Sequence, residues 1–307
     1  MSPERLHVVC CIFNPLRWDS RLARYRAFEA HMLASGVALT TVECQLGQRP
    51  FGLDHPDVRH VQVRHRSLLF NKENLLMLGI QRLPPNWEYL AWIDADVTFR
   101  RQDWAAETVH GLQQYAILQP WSDVYNLGPH GEHVSHFISF ARVVHDGGPL
   151  WKGHGHQHAY KFPHPGFAWA IRREAYEQVG GLIETAVLGS ADHHMAYALL
   201  GQVWNTYPAP MTEGYKTPLL AWQALALKYI NGNLGYVWGT IEHGWHGRIE
   251  DRKYQDRWQV FIKHGFDPAT DLKRNSYGVL ELAGNKPALR RDIDRYFRAR
   301  CEDGNVI

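Results

Sequence analysis

No stretch of this 307-residue sequence is long and apolar enough to cross a membrane. The N-terminus MSPERLHVVCCIFNP carries an apolar run of only about eight residues before Asn14 and Pro15, against the ~20 that a span needs. It is also too short for a signal core with its cleavage site, so a cytoplasmic protein is expected. Cysteine is scarce: of four, Cys10 and Cys11 are adjacent and Cys44 and Cys301 isolated, which excludes a disulfide framework and a Cys-x-x-Cys zinc pattern. Charge of one sign is scarce too. A formal net charge of +2 gives no reason to expect wholesale coating of nucleic acid, although 19 histidines add positive charge under mild acid. Internal repeats and low-complexity tracts are absent, and partners must be read from sites.

What is present is a globular chain with 45% hydrophobic residues. LHVVCCIF (6–13) reads as a buried strand emptying into an Asn-Pro loop. DSRLARYRAFEAHMLASG (19–36) has helical spacing, with Asp19 or Ser20 as cap and Gly36 as stop, and VALTTVEC (37–44) is the next strand. This β-α-β start predicts a mostly parallel sheet flanked by helices. A helix over 71–83 stops at Pro84 and Pro85, and YLAWIDADV returns to the sheet. Residues 121–165 lack periodicity and are expected to form loops and short strands. Regular structure resumes over 167–182, with helices at 192–201 and 218–230, a strand at 234–243, and a charged helix at 286–303 whose arginines read as a solvated face or a phosphate-binding one.

YLAWIDADVTF (89–99) poses the chemical question, because a strand would project Asp94 and Asp96 to one face. Such a pair at a strand end can hold Mg²⁺ or Mn²⁺ with substrate phosphates, or can simply make caps and surface ion pairs. Ligands of open α/β sheets bind beyond the carboxyl ends of strands, where both this segment and the Asn-Pro loop fall.

Six segments in order, IFNPLR, LFNKENLLMLGI, WIDADV, PGFAWAIRREAYEQVGG, ADHHMAYAL and IEHGWHGR, give the chain a resemblance to GT-A glycosyltransferases. It resembles most the β-1,4-galactosyltransferases and their relatives among the polypeptide N-acetylgalactosaminyltransferases. The likeness covers roughly residues 6–260. It implies a GT-A fold, a Rossmann-like mixed sheet, over residues 1–265, with 266–307 as a small helical appendage. Pro15 and Arg17 would then line the nucleotide and its diphosphate, Phe70 would lie against uracil, and Lys72 and Gly166 would lie near the donor. Asp96 would bind the metal directly, with Asp94 beside it serving the ribose or a metal-bound water. His243 would be a further metal ligand, His246 a contact to the diphosphate or an orienting group, and Asp192 the catalytic base.

Each residue type suits its role while having an ordinary alternative. Arg17 offers a planar fork to phosphate oxygens or lies on the surface; Phe70 can stack on a base or staple a helix. Lys72 can meet a donor or water. Imidazole is a good ligand for Mn²⁺-class ions. Asp192 near a helix start can be a base or an N-cap. Two departures stand out: Ala191 precedes Asp192 where the family has Glu, and Leu188 stands where it has the tryptophan of the acceptor pocket. N-acetylglucosamine is therefore not expected as acceptor, and the missing anchor argues against a Golgi-resident enzyme. HGHQH (154–158) reads as a loop over the acceptor or as a second metal site.

These readings predict a metal-dependent, inverting transferase moving sugar from a UDP-sugar to an acceptor hydroxyl. The acceptor would be a glycan, a lipid-linked saccharide, a protein, or a hydroxymethylated base in DNA as with some phage-encoded transferases. The rivals are a metal-dependent nucleotide-sugar phosphohydrolase or nucleotidyltransferase, and a non-catalytic sugar-binding protein, encouraged by 12 Trp and 14 Tyr.

Overall fold

A computed structural model describes residues 2–150, 163–247 and 256–300. After a 3-10 turn come β1 (Leu6–Phe13), α1 (Asp19–Ala34), β2 (Ala38–Leu46), β3 (Arg59–His65), α2 (Lys72–Ile80), β4 (Tyr89–Ile93), β5 (Val97–Phe99), α3 (Trp104–Gly111) and β6 (Ile117–Gln119). The chain continues through β7 (Asp123–Leu127), β8 (His133–Ile138), α4 (Phe140–His145), β9 (Ala168–Arg172), α5 (Arg173–Gln178), α6 (Ala191–Ala198), α7 (Glu213–Tyr229), β10 (Leu234–Tyr236) and β11 (Thr240–His243). The C-terminal part holds α8 (Asp256–Lys263), α9 (Pro268–Asp271), β12 (Leu272–Arg274), β13 (Leu280–Leu282) and α10 (Pro287–Arg298).

Seven strands form the main sheet in the order β10-β6-β9-β4-β1-β2-β3, parallel except for β9, which runs against both neighbours. This is the mixed, mostly parallel α/β architecture that the β-α-β start predicts. Both faces are covered, and the period of two along each strand shows it. Val9, Leu90, Trp92, Trp169 and Ile171 point into one apolar cluster with Leu76 of α2, Met195 of α6 and Trp222 of α7. Val8, Cys10, Ala91, Ile93 and Ala170 point into the other, with Tyr25 and Phe28 of α1 and Trp104 of α3. Leu280, Leu282, Leu289, Ile293 and Phe297 join the first cluster, so the C-terminal part is packed onto the sheet's own core. Among the described residues, no helix is long and apolar enough to cross a membrane.

A second sheet, β5-β11-β7-β8, lies over the end of the first. It changes two expectations. The expected strand through the Asp pair ends at Ile93; Asp94 lies outside regular structure, Ala95 and Asp96 form a turn, and β5 belongs to the second sheet. The two carboxylates are therefore not on one strand face, and the turn sends them to different partners. Likewise the expected strand 234–243 splits, with β10 in the main sheet and β11 in the second. The region 121–165 contains β7, β8 and α4, while HGHQH (154–158) and Cys301 lie outside the described residues. The helix expected from Pro218 begins earlier, at Glu213, because the Thr212 side chain accepts the Tyr215 N–H as its cap. Strands β3 and β6 and helix α3 were not expected; β3 reads RHVQVRH, too polar to announce a sheet edge.

Candidate metal and base site

Register in the second sheet builds the first half of the site. Strands β11 and β5 pair antiparallel with His243 opposite Val97, which places the residue before β5, Asp96, beside the end of β11. The Gly244 N–H donates to the Asp96 carbonyl at 2.9 Å and ties the two ends together. The chain then turns through Gly244 and Trp245 and returns His246. A Cβ on Gly244 would lie 2.8 Å from Arg24 Cδ, so glycine lets this turn sit close to α1.

The result is a triangle of donor atoms. His243 Nε2 lies 3.4 Å and His246 Nε2 3.5 Å from Asp96 Oδ2, and the two nitrogens are 3.1 Å apart. Such spacings would let the three side chains hold one divalent ion between them. His243 Nδ1 lies 2.7 Å from Asn126 Oδ1, while Asn126 Nδ2 donates to Ser135 Oγ. That orientation makes His243 Nδ1–H the donor and leaves Nε2 with its lone pair facing the triangle. Parallel pairing of β7 with β11 sets Asn126 opposite His243. Two imidazoles and a carboxylate suit a first-row divalent ion such as Mn²⁺ better than Mg²⁺, which prefers oxygen. Among the described residues, this is the group of three or more ligand side chains close enough to share an ion.

Asp94 has a different partner. Its Oδ1 lies 2.6 Å from Lys72 Nζ at the start of α2. Burial raises the Asp94 carboxyl above its ordinary range, and the Asp96 charge adds to that while Lys72 opposes it. Burial works against the Lys72 ammonium, but Asp94, Asp192 and Glu73 outweigh it and hold it charged.

The second half of the site comes from the segment His164–Phe167 and the start of α6. Burial alone would raise the Asp192 carboxyl, but Lys72, His164 and the His193 N–H outweigh it, and Asp192 stays below the usual carboxylate range. The His193 N–H donates to Asp192 Oδ1 at 2.8 Å. Gly166 lies directly against Asp192: a Cβ there would sit 2.8 Å from Oδ2 and 2.9 Å from His164 Cε1. Gly166→Ala is therefore expected to displace the carboxylate, an overpacking that should cost about 1–3 kcal/mol and that thermal melts check.

Phe167 joins the halves. Its carbonyl accepts the Asp94 N–H at 2.7 Å, and its ring centroid lies 4.7 Å from that of His243. Phe167 (φ 74°), Ser190 (φ 86°) and Arg17 (φ 60°) all hold left-handed backbone, a strain that side-chain-bearing residues rarely carry. Phe70 lies beside the start of α6, its Cδ1 3.7 Å from where a Cβ on Gly189 would be. Pro15 and Arg17 line a cavity beyond the ends of β1, β2 and β3. Asn126, His164 and Phe167 escaped the sequence reading. The alternation in DVYNL marks a strand that would carry Asn126, but nothing local pairs it with His243.

Glu73, also unforeseen, is buried next to Lys72 with its carboxyl pushed up to about 8, chiefly by burial and also by Asp192 and Asp94, against Lys72. Its folded pKa lies above the ordinary 4.5, so between these values the folded state binds the extra proton and stability falls as pH rises. Glu73→Gln should flatten that slope, its advantage over wild type growing from pH 5 to pH 9 to on the order of 3 kcal/mol. Denaturant melts at the two pH values measure it; a gap that does not grow would disprove the assignment.

No family model matches the chain, and no curated protein does. Among solved structures, Drosophila β1,4-galactosyltransferase 7 in complex with manganese, UDP-Gal and xylobiose is 13% identical, covering 92% of this chain and 98% of that one, at a TM-score of 0.42. GalNAc-T7 with UDP, GalNAc and Mn²⁺ is 13% identical, covering 95% and 54%, at 0.43. Mannosyl-3-phosphoglycerate synthase from Rubrobacter xylanophilus is 12% identical, covering 90% and 83%, at 0.37.

Proposed function

We propose that the protein is a metal-dependent, inverting glycosyltransferase of GT-A type that moves a sugar from a UDP-sugar to an acceptor hydroxyl. The observation that carries the reading is the Asp96, His243 and His246 triangle, on the same sheet edge as a half-buried Asp192 held below the usual carboxylate range. A divalent ion held there, Mn²⁺ in preference to Mg²⁺, would neutralise a diphosphate leaving group. Asn126 fixes the His243 ring for that task. Asp192 takes the proton of the acceptor hydroxyl as its oxygen bonds to the anomeric carbon and the bond to the diphosphate breaks. Lys72 holds the Asp94 turn and keeps Asp192 anionic.

A panel of UDP-sugars with Mn²⁺ tests the reading, assayed against glycans, lipid-linked saccharides, protein and hydroxymethylated DNA. Acceptor-dependent UDP release with an inverted anomeric centre supports it. Release unchanged by every acceptor points to the phosphohydrolase, and binding without turnover to a sugar-binding protein.

A further inference from the structure

Residues 217–227 of α7, TPLLAWQALAL, include no charged side chain. Helical spacing divides α7 between two faces. Tyr215, Leu219, Trp222 and Ala226 are buried, and Tyr215 Oη lies 2.9 Å from His194 Nε2 of α6, so one face is used by the fold. The opposite face carries Thr217, Leu220, Ala221, Ala224 and Leu227, all exposed. Leu220 is 43% and Leu227 42% exposed. The turn Val203–Thr206, tied to α7 by the Val203 N–H donating to Gln223 Oε1, sets Trp204, 60% exposed, beside this face. Scattered exposed leucines are ordinary, but a continuous apolar stripe along a long helix marks a surface that binds something.

Charge lies only at the ends of the stripe. Glu213 stands at its start, exposed, with one carboxylate oxygen 2.8 Å from Lys216 Nζ. Lys228 stands at its finish, also exposed, its Nζ 4.7 Å from the Tyr229 ring centroid. Glu213, Thr217, Leu220, Ala224, Leu227 and Lys228 follow one helical row, so the end charges and the apolar centre share a face. Such a row is its own complement when turned end for end. About a twofold axis between Leu220 and Ala221, an antiparallel second copy would set Lys228 against the partner's Glu213 at both ends. The same axis would set Leu220 against the partner's Ala221 and Ala224 against the partner's Thr217, so that small residues let the helices approach. A parallel copy would bring like charges together at both ends and align the helix dipoles unfavourably.

We propose that the outward face of α7 is a self-association surface that takes a second copy of this chain, antiparallel across a twofold axis. The complementary charges at its two ends choose this occupant and this orientation. One helix face per copy makes a small interface, so the dimer is weak, with a dissociation constant on the order of 10 µM. The surface stands whether or not the chain transfers sugars.

Sedimentation velocity of the full-length chain over about 1–200 µM tests it. Wild type should pass from monomer to dimer across that range. Ala224→Arg, which puts an unpaired charge at the centre of the interface, should weaken association about a hundredfold and leave a monomer. Glu213→Lys and Lys228→Glu should each weaken it about tenfold, while the double variant Glu213→Lys with Lys228→Glu should regain wild-type association. These positions are exposed and the new residues are good helix formers, so melting temperatures of the dilute variants check that the monomer stays folded. A wild-type monomer throughout, a dimer indifferent to Ala224→Arg, or a double variant no better than either single one would overturn the proposal. A monomer that instead cosediments with phosphatidylcholine–phosphatidylglycerol vesicles, and loses them in Ala224→Arg, would overturn it too and assign the face to a membrane.

Discussion

Asp192→Asn is expected to lower the rate of sugar transfer by about 10²–10⁴-fold, with UDP-sugar binding retained. Asparagine keeps the shape and an oxygen to accept the His193 N–H, so the start of α6 should stand. What it removes is the proposed proton acceptor. In wild type, Lys72, His164 and the His193 N–H outweigh burial and hold Asp192 below the ordinary carboxylate range. As the proposed base it would be ionised at neutral pH, and the acid limb of the rate profile should lie below that range. Single-turnover rates and calorimetric donor binding separate chemistry from binding. Transfer at the wild-type rate, or a product of retained configuration, would remove Asp192 from the proposed role.

Asp96→Asn should abolish metal-dependent turnover and weaken Mn²⁺ binding by about 100-fold or more, because the triangle loses its one anionic ligand. Chelation should silence wild type, Mn²⁺ should restore it, and the variant should stay silent. Electron paramagnetic resonance of free and bound Mn²⁺ gives a readout that needs no substrate. Asn126→Ala should cost a smaller 10–100-fold in Mn²⁺ affinity, since it frees the His243 ring while leaving all three ligands in place. Wild-type Mn²⁺ affinity in Asp96→Asn would refute the triangle as a metal site.

Several parts of the site were legible as local pattern. The apolar run of β1 and its Asn-Pro exit, the α1 periodicity and the apolar run before the Asp pair all obey rules that act over a few residues. The three-residue β6 carries too little periodicity to separate a strand from a loop, and β10 and β11 read as one strand because nothing local marks the step from one sheet to the other. Arg290 and Arg298 show the same limit. On the sequence they belong to a charged helix, and burial of Leu289 and Phe297 on the other face is what leaves them lining one cavity with Arg17.

By itself the sequence determined the α/β class, the strands feeding the carboxyl edge, and the residue types on which a metal and a base could be built. The tertiary structure decided how the two aspartates divide. A turn at Ala95 sends Asp94 to Lys72 and Asp96 to the histidines, whereas a continuous strand would have kept the carboxylates on one face. It also decided that His243 and His246 serve the same triangle, through the antiparallel register of β11 with β5. The physical reason is the range of the forces involved. Periodicity and turn chemistry are properties of neighbours along the chain, but hydrogen-bond register between distant strands is chosen by how the whole sheet buries its two faces.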